Sequence, residues 1–321
     1  MLKGRHKDLH PLLKVVEWLC VMLVCMLAVF GIWYLLPVNP ASTGALLLFQ
    51  ALQSIALFIV PPLIVAWLWS GAPLRWLRVS GEPSAAVGGK TDWQLVGLSV
   101  AIMVTAVPLI NCLVSWNQAV CLPECLSGLE QMMRQMEDQA DRLLQSFMTY
   151  QDGAWWVLVL NLIVLAVLPA VGEELTFRGV LQGLIERSKL KIERAATGQA
   201  PQQNTANRSH VAVWVTAFVF SFVHFQFYGF IPRLLLGALL GYSLMWSGRI
   251  GYSMIMHATN NALSVLVFYL GTYVWNLPQG EMDAIGTHDT WWLTAVCTPV
   301  AGVLMYLFYK RASVANSAAK Y

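Results

Sequence analysis

Residues 155–184 read WWVLVLNLIVLAVLPAVGEELTFRGVLQGL, and this stretch decides the fold. Its first half carries no charge. A helix that crosses a bilayer needs about 20 predominantly apolar residues. Backbone groups in hydrocarbon must also be hydrogen-bonded within the segment, so a run of this length is a helix and not a strand. The second half departs from that pattern: Glu173, Glu174 and Arg178 sit in it. A charge at the centre of a membrane helix costs about 2.5–3.5 kcal/mol, so each of these residues needs a partner or a purpose. Pro169 lies four residues before Glu173, removes a backbone donor, and predicts a kink just above the acids.

Outward from this run, similar apolar segments occur at 15–36, 45–69, 93–114, 211–228, 234–246, 252–270 and 291–309. With 155–184 they make about eight spans, the sixth of them short and the fourth long. Trp69, Trp93, Trp155, Trp246 and Trp291 stand at run ends, where tryptophan anchors helices at the interface. The 321 residues are 57% hydrophobic and 12% charged, about half the charged share of a soluble domain. Soluble, disordered, coiled-coil and nucleic-acid-binding classes are therefore set aside. The expected fold class is an all-α polytopic transmembrane bundle.

The net charge of +3 says little until it is sorted by position. Lys3, Arg5, Lys7 and Lys14 precede the first run, and Arg75, Arg78 and Lys90 lie between the second and third. Arg187, Lys189, Lys191, Arg194 and Arg208 follow the fourth, Arg249 the sixth, and Lys310, Arg311 and Lys320 the last. Segments 37–44 and 271–290 contain no Lys or Arg, and the long third loop has only Arg134 and Arg142 against six acids. The positive-inside rule then places both termini in the cytoplasm, as an even span count requires. The expected location is a bacterial cytoplasmic (inner) membrane. The first apolar run is too long for a cleaved signal peptide and is expected to be retained. Segment 197–207, rich in Gln, Asn, Gly and Pro, reads as a flexible cytoplasmic loop.

Segment 126–148 does not span. Its Leu129, Met132, Met133, Met136, Leu143, Leu144 and Phe147 recur at helical spacing with acids between them, which predicts an amphipathic helix on the outer surface. It serves either as a substrate guide or as a helix packed against the bundle. Cys121 and Cys125 stand at its start with a spacing that permits pairing in an oxidising compartment. Cys20, Cys25, Cys112 and Cys297 lie in apolar runs as small hydrophobes.

The ionisable residues well inside the runs crowd into the second half: Glu173, Glu174 and Arg178, then His224, then His257 with Asn260 and Asn261 beside it. Glu174 and Arg178 are four apart and share a helix face, as do His257 and Asn261, and Phe220 and His224. Gly179–Gly183 and Gly237–Gly241 have the spacing of close helix packing. A carboxylate near two imidazoles and an amide, away from bulk water, activates water for attack on a carbonyl. One imidazole orients the water while the other and the amide stabilise the oxyanion. A second chemistry stays open, in which two histidines and a glutamate hold Zn²⁺. H-E-x-x-H, an intramembrane aspartate pair and G-x-S-G are all absent from the sequence.

Three motifs in order resemble the CPBP family of CAAX proteases and bacteriocin-processing proteins. Glu173-Glu174-Leu175-Thr176-Phe177-Arg178 is similar to its E-E-x-x-x-R, Phe220-Ser221-Phe222-Val223-His224 to its F-x-x-x-H, and His257-Ala258-Thr259-Asn260-Asn261 to its H-x-x-x-N. The resemblance covers about 155–270 and implies an intramembrane endopeptidase of the type II CAAX prenyl protease kind. It implies Glu173 as the base that activates water, His224 as the residue that holds the water, and His257 with Asn261 as the oxyanion site. Glu174 and Arg178 become a supporting ion pair. Both a zinc-dependent mechanism, with His224 and His257 as ligands, and a metal-free glutamate mechanism are compatible with it. The implied substrate is a membrane-anchored or lipidated peptide or protein within the lipid bilayer, with no nucleic acid. The alternative is a non-catalytic membrane-binding, immunity or scaffold protein of the same fold; a transporter would instead predict repeat symmetry. The expected organisation is a variable region at 1–150, a catalytic core at 151–275, and a last span with tail at 276–321. One mismatch remains. At 1.5 Å per residue His224 lies about 20 Å along its run and His257 about 8 Å along its own, yet one site needs them level. The expected site is a cavity in the inner half of the membrane, open to the cytoplasm.

Overall fold

The computed structural model describes residues 2–80, 91–188, 210–278 and 284–318. Lys90, Lys189, Lys191, Arg194, Arg208, Lys320 and the expected loop at 197–207 lie outside the described residues. The described chain is helical, as its apolar runs require, in nine principal helices. They are α1 (Pro11–Leu35), α2 (Thr43–Trp69), α3 (Trp93–Gln118), α4 (Ser127–Met148), α5 (Trp155–Ser188), α6 (His210–Phe222), α7 (Phe230–Ser247), α8 (Ile250–Tyr269) and α9 (Trp291–Ala318). Side-chain caps start three of them: His10 Nδ1 accepts from Leu12 N before α1, Ser42 Oγ from Ala45 N before α2, and Asp92 Oδ1 from Gln94 N before α3. Gly248 closes α7 in the left-handed conformation, at φ 70°.

Six helices among the described residues are long and apolar enough to cross a membrane, and they include α1, α2, α3 and α5. The other two are Phe227–Ser247, which contains α7, and His288–Val314, which overlaps α9. The expected fifth and seventh spans differ. α6 has 13 residues and stops at Phe222, where the chain reverses. α8 has 20 residues, and its polar His257, Asn260 and Asn261 lower its apolar character. The architecture is a polytopic helical bundle. Its outer faces are apolar, with Leu23 and Leu27 of α1 and Val296 and Val303 of α9 all more than half exposed. Apolar surface of that kind calls for lipid, not water.

Contacts sort the chain ends onto two faces. On one, Gly4 N and His6 N donate to Trp67 O and Leu68 O beyond α1. Ile250 N donates to Arg78 O, and Arg311 pairs with Asp92 at 2.8 Å. This face holds the described basic loops. A core of Trp18, Val65, Trp69, Leu77, Val180, Leu244 and Ile250 packs beneath it. On the opposite face α4 lies over the bundle, as its pattern predicts. Phe147 packs with Leu47 and Val164, and Asn161 Nδ2 donates to Phe147 O.

α5 runs between these faces at the centre of the fold. Pro169 lies just past a segment of wide i→i+5 turns at Leu162–Val167, where its missing donor disturbs the ladder. A second wide-turn segment, Glu174–Gln182, carries the buried acid and arginine; such segments recur at functional sites. Gly172 lets α2 approach closely: a Cβ there would stand 2.7 Å from Phe58 Cβ. Gly237 and Gly241 serve packing in the same way, against Ala217 and Val213 of α6.

Candidate active site

α5, α6, α7 and α8 converge on one buried ring, Phe220. It meets Phe177 edge-on at 5.2 Å and His257 at 5.8 Å, and the His224 ring lies 4.9 Å away. The Arg178 guanidinium sits 4.7 Å over its face, a cation–π contact. The spacing of Phe220 and His224 therefore seats His224 one turn beyond this ring, at the tip where α6 reverses. Phe225, the next residue, has φ 54°. Left-handed backbone is costly for a bulky residue and is held only where packing demands it.

The depth mismatch resolves here. α6 starts at His210, level with the lower part of α7, where His210 Nδ1 meets Tyr242 Oη at 2.9 Å. α8 starts higher, because Ile250 is tied to Arg78 O and packs at Gly179. His257 is only two turns along α8 yet reaches the same level as the acids.

Two layers follow. The lower one is closed. Arg178 Nη1 donates to Glu174 Oε1 at 2.8 Å, Arg178 Nη2 to Gly237 O at 2.9 Å, and His257 Nδ1 lies 2.9 Å from the same Glu174 oxygen. The Arg178 and Glu174 side chains are completely buried. Toward the basic face the polar seam continues: Gln182 Nε2 donates to Glu186 Oε1 at 3.1 Å, and Glu186 pairs with Arg78. The upper layer is reachable. Glu173 keeps 14% of its side chain exposed, 3.8 Å from His257 Nε2. His224, Arg233, Asn260 and Asn261 are half-buried around it. Arg233 donates to Gln226 O at 3.1 Å and Gln226 Oε1 at 3.0 Å, within electrostatic reach of both Glu173 and Glu137.

The hydrogen bonds fix the tautomers. His224 Nδ1 faces Phe220 O at 2.6 Å, so Nδ1 carries the proton and Nε2 presents a lone pair. Asn261 Oδ1 accepts from Asn260 Nδ2 at 3.2 Å, which leaves the Asn261 amide as a donor. α4 covers the tip from above: Glu137 Oε2 accepts from Tyr228 N at 3.3 Å, and Arg134 stacks 4.2 Å over the Tyr228 ring. Burial pushes the Glu137 carboxyl above its ordinary value. Beside the tip, a groove of about 460 Å³ is lined by Trp116, Val120, Phe218, Phe222, Phe227 and Phe230.

All six expected site residues lie in this region. Glu173, Glu174, Arg178 and His257 form one contact network, His224 joins it through Phe220, and Asn261 pairs with its neighbour. Zinc fits poorly. A zinc site needs three or four protein ligands at about 2.0–2.3 Å, and no cluster of three His, Cys, Asp or Glu able to hold a metal occurs among the described residues. Phe220 O and Glu174 engage only the Nδ1 of His224 and of His257, so the Nε2 of each stays free. Cys121 and Cys125 are free and exposed. Arg233 and Glu186 join the site's polar network without belonging to any of the three motifs, and Glu17 accepts from Trp69 Nε1 at 2.7 Å. Their signal was position: each falls within four residues of an apolar run's end, inside the folded helix.

Residues 154–263 match the family model for type II CAAX prenyl endopeptidases, Rce1-like. This segment is of the CAAX protease family. The family segment takes in all of α5, α6 and α7 and most of α8, and with them the six expected site residues. α1 to α4 and α9 lie outside it. No curated protein and no solved structure matches the chain. The six apolar helices of membrane-crossing length and this match support an integral membrane protein.

Proposed function

We propose that the protein is an intramembrane endopeptidase that hydrolyses a peptide bond of a membrane-anchored or lipidated substrate, with Glu173 as the base. The asymmetry of the paired acids carries this reading. Glu174 is wholly buried and shared by Arg178 and His257, whereas Glu173 is partly exposed and, among the described residues, has His257 Nε2 3.8 Å away as its ion-pair contact. One acid is structural; the other is available to water.

The chemistry follows from the atoms. Glu173 takes a proton from a water whose other hydrogen points at the His224 Nε2 lone pair. The water oxygen attacks the scissile carbonyl carbon, and the Asn261 amide donates to the developing oxyanion. Glu173 then gives its proton to the leaving amine, the C–N bond breaks, and a carboxylate and an amine result. His257, held by Glu174, keeps Nε2 toward Glu173 and so positions it.

Cleavage of a membrane-anchored peptide by the full-length protein in proteoliposomes, read by mass spectrometry, tests this. A general base contributes about 10²–10⁴-fold, so Glu173→Gln should lose that much while eluting and melting like the parent protein. His224→Ala should lose turnover as well. Undiminished cleavage by both variants overturns the proposal.

A further inference from the structure

The open layer of the site and the basic loops lie at opposite ends of the helices. α6 leaves the basic segment at His210, and His224 comes after its far end. On α5, Glu173 lies three and a half turns from Ser188 at the basic end. Between them stand Glu174, Arg178, Gln182 and Glu186, all buried: Glu174 meets His257 of α8, Arg178 and Gln182 donate across to α7, and Glu186 pairs with Arg78. This seam closes the route from the basic face over about 18 Å, at 1.5 Å per residue from 174 to 186. Glu173 instead lies within electrostatic reach of Arg233, which bonds Gln226 at the tip and also reaches Glu137 of α4, and His224 sits at that same tip. The aromatic groove beside Phe222 opens at that end too.

The charges orient these ends. Described basic residues Lys7, Lys14, Arg75, Arg78, Lys310 and Arg311 gather on one face. The tip side is net acidic, with Glu124, Glu130, Glu137, Asp138 and Asp141 on or beside α4 against Arg134 and Arg142. Lys and Arg remain on the cytoplasmic side of a membrane.

We infer that the site is entered from the extracytoplasmic side, and that its substrate is a peptide segment exposed there or anchored in the outer leaflet. A lipidated C-terminus in the cytoplasm meets the closed seam and is not the substrate. This replaces the expectation of a cavity open to the cytoplasm, which rested on span depth alone. The inference deepens the peptidase reading and rests on it for the word substrate; the direction of access stands on the seam and the charges.

Thiol labelling of the full-length protein in cell membranes, with its six cysteines replaced by serine, separates the two. Gln226→Cys at the tip should react with a membrane-impermeant maleimide in intact cells, and Arg75→Cys only in inverted vesicles. Labelling of Gln226→Cys only in inverted vesicles, or from neither side, overturns the inference. A single-span reporter carrying the target segment on either side of the membrane supplies the second arm, and it should be cut on the outside only. If labelling is as expected and neither reporter is cut, access stands and the peptidase reading fails. If only the cytoplasmic reporter is cut, the peptidase stands and the access inference fails.

Discussion

His257 Nδ1 lies 2.9 Å from Glu174 Oε1, the same oxygen that accepts from Arg178 Nη1 at 2.8 Å. One carboxylate oxygen thus ties α5 to α8, and the other arm of Arg178 reaches Gly237 O on α7. The arrangement is a buried charge pair with its donors largely satisfied, and breaking such a pair by removing one partner costs about 3–5 kcal/mol. Arg178→Ala is therefore expected to destabilise the protein by about that amount, seen as a lowered thermal midpoint in detergent. The double variant Glu174→Leu/Arg178→Met, of similar volume and without charge, should recover much of the stability but none of the cleavage, since His257 loses its anchor. Recovery of cleavage would separate the anchor from the reaction.

His224 offers its two nitrogens to different partners, Nδ1 to Phe220 O and Nε2 to the cavity. Asparagine places a donor near the Nδ1 position and nothing at Nε2; glutamine reaches the Nε2 position with an oxygen that accepts from water. His224→Gln should keep measurable turnover while His224→Asn loses about 10²-fold or more, the scale of a lost acid–base or water-orienting contact. Steady-state cleavage of the peptide by the two variants checks this. The opposite order would give the working role to Nδ1.

Most of the bundle was legible in the sequence because membrane helices announce themselves by length and apolarity, and α4 by its amphipathic period. The Glu174–Arg178 pair was legible from i,i+4 spacing, which the wide turns of Glu174–Gln182 preserve. What spacing along single helices could not supply was their relative height. α6 ends after 13 residues and α8 starts beside Arg78 O, so depth counted from each helix's own start misplaces both histidines. The role of Phe220 was hidden for a related reason. The sequence sets it one turn before His224 in F-x-x-x-H, but its place as the shared packing centre emerges only when α5, α7 and α8 are brought around it. Arg233 lies between two apolar runs, where spacing along the chain gives it no partner.

Gly172 precedes the proposed base and sits where α2 presses on α5. A Cβ at this position would meet Phe58 Cβ at 2.7 Å and Ile59 Cγ1 at 3.1 Å. Phe58 Cβ cannot swing away as the end of a long side chain could, so the helices must part. Overpacking of this kind costs about 1–3 kcal/mol. Gly172→Ala should lower the melting midpoint and reduce kcat with little change in KM, because it shifts Glu173 without touching a binding surface. A variant that melts earlier and cuts at the parent rate would show that the α2–α5 contact does not set the position of Glu173.

Glu137 links α4 to the tip through Tyr228 N, and its protonation should govern how tightly α4 is held. Burial pushes its carboxyl upward. Asp141 and Asp138 on its own helix add to that push, while the Tyr228 N–H and Arg233 oppose it. With a folded pKa above the unfolded one, the native state binds a proton where the unfolded chain does not, and stability falls as pH rises. The contribution is complete below the ordinary glutamate value, about 4.3, and is lost as pH passes through the raised value. Glu137→Gln keeps an acceptor for Tyr228 N and has no charge to desolvate. Thermal midpoints of parent and variant, measured at intervals from about pH 4 to 7 around that ordinary value, should coincide at the acid end. As pH rises they should diverge, with the glutamine variant the more stable. A difference that is constant across the range would mean that Glu137 is not buried against the tip in the working protein.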